Sequence, residues 1–218
     1  MPRQPAALTG FKLLGVLASS ALLGILFVRI LVAVVAGTSS WLALPALLVG
    51  YLLADLLSGT AHWFCDTFFA EDTPLIGKIL IQPFRDHHVH PQRITHYRFL
   101  EQDTTNFFLM LPLLALAFRL GAPEPGSPLQ LALTSCLLGL AGGSFATNLF
   151  HKWAHMPEPP RVARWLQVSG LILDSERHRH HHRDYNRGFC VTSGWMNPLL
   201  DALRFFPRVE RVVRFLQQ

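Results

Sequence analysis

Apolar residues dominate four stretches of this 218-residue chain, at about residues 13–36, 41–61, 104–120 and 129–150, while polar residues collect between and after them. A helix needs about 20 mainly apolar residues to cross the hydrocarbon of a bilayer. The first stretch is interrupted only by Arg29 and the second by Asp55, and the fourth carries no charge. The third is shorter and contains Pro112, so on length alone it also suits a buried helix. The pattern predicts an all-α membrane protein: four transmembrane helices, one membrane-embedded domain over residues 1–218, and a cap built from residues 62–103 and 151–218. A tight uncharged turn is expected at residues 37–40, and a second turn at the Gly/Pro-rich residues 121–128. The first stretch is too long for a signal-peptide core and lacks a cleavage pattern, so it is read as retained.

Composition agrees, with 50% apolar residues, 15% charged and a mean hydropathy of +0.30. The net charge of +5 comes almost wholly from arginine. Both expected turns lack Lys and Arg, whereas the amino terminus, residues 66–103 and the tail after Phe150 carry nearly all of them. The positive-inside rule places those segments in the cytoplasm and makes the chain an integral, multi-pass membrane protein. No basic stripe with interleaved aromatics appears outside the spans, so nucleic acid is not expected as a partner. Cys65, Cys136 and Cys190 form no CxxC pair, which argues against a disulfide framework or a thiolate zinc site.

That topology puts all eleven histidines on one side of the membrane. His62 and Asp66 are i and i+4 at the end of the second span. Asn148, His151 and His155 run i, i+3, i+7 off the fourth, and His178, His181 and His182 form an H-x2-H-H group on a later helix. Residues three and four apart share a helix face, so each set can aim its ligating atoms at one point. His87 and His88 come from the long cytoplasmic segment. A catalytic zinc site uses three protein ligands and a structural one four. Eight imidazoles exceed one ion, and a pair of ions in an imidazole-rich, carboxylate-poor shell points to iron-dependent oxygen chemistry on a lipid chain. A desaturase and a membrane hydroxylase would use the same shell. A zinc transporter or sensor would need more ionisable residues within the spans than Asp55 and Arg29.

These residues resemble the plasmanylethanolamine desaturase family, whose relatives include a plant chloroplast trans-palmitate desaturase. The matching blocks are YLLADLLSGTAHW (residues 51–63), Asp66-Thr67, GKILIQPFRDHHVHP (77–91), TNLFHKWAH (147–155), HRHHH (178–182) and FCVTSGWMN (189–197). The resemblance implies a four-span protein that holds two irons. It would use molecular oxygen, and electrons from a small carrier of the cytochrome b5 or ferredoxin kind, to desaturate an alkyl-ether or acyl chain of a membrane phospholipid. Its histidine motifs fall on His62, His87, His88, His151, His155, His178, His181 and His182, and its acid on Asp66. Departures at His90, at His96-Tyr97 and at Arg177 weaken the case for His90, His96 and His180 as ligands.

Asp55 lies seven residues before His62 on nearly the same helical face. It is expected to accept the second ring N–H of a ligating histidine, the alternative being a packing acid bonded to Ser or backbone. Asn148 suits a weak or water-mediated ligand, or a contact between helices. Arg29 is read as pairing or snorkelling outward. Residues 161–173 mix Trp165 and Leu166 with Arg161 and Arg164 as an interfacial helix would. In the tail, Arg204, Arg208, Arg211 and Arg214 suit anionic lipid headgroups or an acidic electron carrier, or simply a solvated face.

Overall fold

The computed structural model describes residues 6–37, 40–98, 100, 104–120 and 127–217. Every regular element among them is helical. The long helices are α1 (Ala6–Ala36), α2 (Ala43–Thr67), α4 (Thr104–Arg119) and α5 (Pro128–His155). The short ones are α3 (Gln82–Val89), α6 (Arg161–Val168), α7 (Ser175–Arg183), α8 (Asn197–Ala202) and α9 (Phe205–Leu216). Residues 38–39 and 121–126, on which both expected turns largely fall, lie outside the described residues.

Among the described residues three helices are long and apolar enough to cross a membrane: Thr9–Ala36, Ala43–Thr67 and Pro128–His155. The third expected span appears as α4, of 16 residues with Pro112 inside. α2 and α5 continue past their predicted ends at 61 and 150. The extension places His62, Asp66, His151 and His155 on rigid helix rather than in loops.

The chain packs as two compact units, residues 1–54 with 98–148 and residues 55–97 with 149–218. In the first, Leu26, Ile30 and Ala33 of α1 meet Met110, Leu114 and Ala117 of α4, with Leu131, Leu138 and Ala141 of α5. α2 and α5 cross at backbone contact, because a Cβ on Gly50 would overlap the Cys136 carbonyl oxygen and one on Gly139 that of Leu47. Small residues allow such approach, which is how helices gain dispersion contacts where surrounding lipid is as apolar as their own side chains. Arg29 turns its guanidinium over the Phe118 ring, 4.7 Å from the centroid, so its partner is aromatic. Leu14, Val32 and Val35 of α1 remain exposed, as side chains facing lipid would be.

The second unit is built on the last turns of α2 and α5, with α3, α6 and α7 beside them. Trp63, Phe189, Cys190, Leu200 and Phe206 form one apolar cluster; Ala154, Leu173 and Val191 form another. α7 begins at Asp174, whose Oδ1 accepts the N–H groups of Glu176 and Arg177 at 2.9 Å. That cap satisfies orphan donors of the first turn and fixes where a helix of four histidines starts.

Candidate metal centre

Four segments of the second unit converge on one region. α2 brings His62 and Asp66, α3 brings His87 and His88, the end of α5 brings His151 and His155, and α7 brings His178, His181 and His182. Eight of these nine residues fall into two sets, each with one ligating atom per residue and all four atoms within 4.8 Å of one another: His87, His151, His155 and His178, and His62, Asp66, His88 and His181. His182 stands outside both sets, yet its Nε2 is 3.0 Å from His178 Nε2 and its ring centroid is 5.2 Å from that of His88. His62, His178 and His181 are almost wholly buried.

The ring nitrogens face one another and Asp66 at close range, as the atoms of each set converge. His62 Nδ1–H donates to the Phe189 carbonyl oxygen at 3.2 Å, and His181 Nδ1–H to that of Arg187 at 2.6 Å. Each contact fixes the tautomer, so the Nε2 lone pair is the free one. Those two Nε2 atoms lie 3.4 and 3.9 Å from Asp66 Oδ2, and His88 Nε2 lies 2.9 Å from it. In the other set His151 Nε2 is 2.9 Å from His178 Nε2. Both nitrogens of His87, Nε2 of His155 and of His181, Nδ1 of His178 and of His88, and Oδ1 of Asp66 are buried without a hydrogen-bond partner. Buried polar atoms are rarely orphaned in this number, because each forfeits its hydration. A cation among converging lone pairs supplies the missing partner, so the donor set fits metal ions. It contains only nitrogen and oxygen, and none of the three free cysteines belongs to either set.

Electrostatics favour the same state. Burial, reinforced by neighbouring imidazoles, pushes His87 and His178 far below the ordinary histidine value. Burial also lowers His181 to about 3, against the partly opposing bond to Arg187, and His182 to about 4. All four rings are therefore neutral near pH 7, the form a metal requires.

Asp55 departs from expectation. Its Oδ1 accepts the backbone N–H groups of Thr192, Ser193 and Gly194 at 3.1, 2.8 and 3.0 Å, and its Oδ2 that of Met196 at 3.0 Å. The carboxylate is saturated by a turn of backbone, which offers more converging donors than an imidazole. Asn148 is the last residue of the first unit and belongs to neither set. His90, His96 and His180 are exposed and also lie outside both sets.

The segment 187–197 was not expected to act on the histidines. Its carbonyls at 187 and 189 hold two of the rings. The segment is itself held by Asp55, by Ser58 Oγ on the Val191 N–H at 3.0 Å, and by Asn197, which bonds both the N–H and C=O of Cys190. It packs tightly on α2, since a Cβ on Gly59 would come within 2.5 Å of Cys190 Sγ. A backbone carbonyl has no residue type, so spacing could not single it out. Tyr185 was missed as well, and its ring packs edge-on against His88 at 4.8 Å.

Comparison with known proteins places these residues in a wider set. The lipid desaturase domain family matches residues 51–218, which include every residue of both sets. Plasmanylethanolamine desaturase of Myxococcus xanthus is 43% identical over 179 residues, covering 82% of this chain and 62% of that protein. Plasmanylethanolamine desaturase 1 of Mus musculus is 36% identical over 180 residues, covering 80% and 66%. The chloroplastic fatty acid desaturase 4 of Arabidopsis thaliana is 37% identical over 206 residues, covering 87% and 58%. The chain thus spans about three fifths of the length of the curated relatives it matches. No solved structure matches it.

Proposed function

The chain belongs to the lipid desaturase domain family, and on that premise we propose that it is an oxygen-dependent membrane desaturase that introduces a double bond into an alkyl-ether or acyl chain of a phospholipid. The observation that carries this reading is the pair of four-ligand sets, close together, rich in imidazole and free of thiolate. One iron would be held by His87, His151, His155 and His178, and the other by His62, Asp66, His88 and His181, with His182 adjacent to both. Bound iron would supply the activation of molecular oxygen and the one-electron chemistry needed to break unactivated C–H bonds, which no side chain can do.

The protein's own part is position and environment. Phe189 and Arg187 carbonyls orient His62 and His181 and leave Nε2 as the ligating atom. Burial keeps the rings neutral and limits water at the site. α2 and α5 carry four of the ligands on helices long enough to be anchored in a bilayer, so the site stays near the membrane surface where lipid chains are available. The chain acts as one membrane-embedded domain with α4 as a fourth, short span. Arginine placement supports a site on the cytoplasmic face, open to a small carrier of the cytochrome b5 or ferredoxin kind. Plasmanylethanolamine, after which the bacterial and mouse relatives are named, is the first substrate to test.

The test is lipid mass spectrometry of aerobic cells that express the chain or its His87→Ala variant and are supplied with alkyl-ether phospholipid. The wild type is expected to yield a product lighter by two hydrogens and the variant none. Elemental analysis of the purified chain is expected to find iron. Identical lipid profiles, or zinc alone at one ion per chain, would refute the proposal.

A further inference from the structure

A cavity of about 290 Å³ opens beside Asp66, between the last turn of α2 and the tail helix α9. Trp63, Phe189 and Phe206 line it on the apolar side, and Glu210 and Arg214 on the polar side. Exposure rises along it, since the side chain of Asp66 is 13% exposed, Glu210 30% and Arg214 56%. It therefore runs from a candidate iron ligand to the surface. Trp63 is 6% exposed, and its indole Nε1 is buried with no hydrogen-bond partner. Glu210 and Arg214 pair with each other one helical turn apart, at 2.7 Å.

Beyond Asp66, the outer side of the cavity carries one carboxylate, Glu210, and one guanidinium, Arg214, a pair that matches a small zwitterion with both a phosphate and an ammonium. Guanidinium binds phosphate in a charge-assisted fork. The carboxylate suits an ammonium. An exposed i,i+4 ion pair is worth little by itself, so both partners can be redirected to a ligand at small cost. The volume lies near the lower end for ligand sites, which suits a headgroup rather than a long chain. We infer that this cavity seats the phosphate–amine headgroup of the lipid substrate, with Arg214 on phosphate oxygens and Glu210 on the ammonium. A headgroup held here puts the carbons nearest the glycerol, rather than the middle of the chain, against the metal centre. The inference rests on the proposed lipid desaturase reading and adds to it the residues that choose the lipid.

The test is equilibrium binding of dihexanoyl phosphatidylethanolamine, dihexanoyl phosphatidylglycerol and inorganic phosphate to the detergent-purified full chain, for the wild type, Glu210→Gln and Arg214→Gln. Both positions are partly exposed, and retained melting temperature of the variants checks their folding. The wild type is expected to prefer the amine lipid over the glycerol lipid and both over inorganic phosphate. Glu210→Gln is expected to weaken the amine lipid about tenfold, by roughly 1.4 kcal/mol, and to leave the glycerol lipid unchanged. Arg214→Gln is expected to weaken both. Equal wild-type affinity for the two lipids, or unchanged affinities in both variants, overturns the inference. Headgroup selectivity in a chain that desaturates no lipid would support the cavity assignment and count against the proposed reaction. Desaturation with no headgroup selectivity in the wild type would do the reverse.

Discussion

Removing the Asp55 carboxylate should loosen the metal centre without touching a ligand. Four backbone N–H groups, from Thr192, Ser193, Gly194 and Met196, end on its two oxygens within 3.1 Å. Each bond to a charged acceptor contributes roughly 1.5–3 kcal/mol, and a buried donor left bare costs about 1–3. Part of that loss is offset in Asp55→Ala, because burying the carboxylate was itself unfavourable, and the net cost of leaving four buried donors without an acceptor should be about 3–5 kcal/mol. Asp55→Asn keeps an oxygen where three of the donors converge and turns an NH2 toward the Met196 N–H or its neighbours, so it should cost about 1–3 kcal/mol. The damage passes along the segment to the Phe189 and Arg187 carbonyls, which hold His62 and His181. Hydrogen exchange of residues 187–197 and iron content per chain read the two steps separately. Exchange should rise and iron fall in the order wild type, Asp55→Asn, Asp55→Ala. If Asp55→Ala keeps wild-type protection over 191–196 together with full iron, the clamp has no such role.

Acid should destabilise the metal-free chain earlier than it would a protein with exposed histidines. The folded chain holds His181 at about 3 and His182 at about 4, while the unfolded chain takes up protons near 6.5. The unfolded state thus binds more protons as pH falls below about 6.5, and stability declines from there through about 4; a melting temperature of chelated protein that does not drop between about pH 7.5 and about pH 5 would contradict this. Gly139→Ala should force α2 and α5 apart and cost roughly 1–3 kcal/mol, whereas Gly142→Ala, with open space around its Cβ, should be near neutral; equal melting temperatures in detergent would refute the close crossing. His181→Ala should lower iron content and the exposed His180→Ala should not, by elemental analysis of matched preparations. Equal iron in the two would break the assignment of the second set.

Period and composition made much of this protein legible. Long apolar runs specify helices that lipid can surround, since only internally bonded backbone is stable there. Helical spacing put His62 with Asp66, His151 with His155 and His178 with His181 and His182 on shared faces, and the structure keeps each group on one helix. The third apolar run was legible as a helix but less so as a span, because Pro112 and its 16-residue length leave it shorter than the hydrocarbon.

Packing decided the rest. Which histidines form a four-atom set depends on where separate helices bring their nitrogens, and the order of residues does not encode a distance between His87 and His155 or between His62 and His181. The partners of Asp55 were decided by packing: a turn carrying four convergent N–H groups meets its carboxylate. The carbonyls that set the tautomers of His62 and His181 belong to the backbone, which every residue shares, so only the folded course of residues 187–197 could assign them. Sequence determined the nitrogen-rich character of the candidate ligands and the helices long and apolar enough to cross a membrane, through residue type and period. Tertiary structure determined the division of the candidate ligands into two sets, because that depends on contacts between segments far apart in the chain.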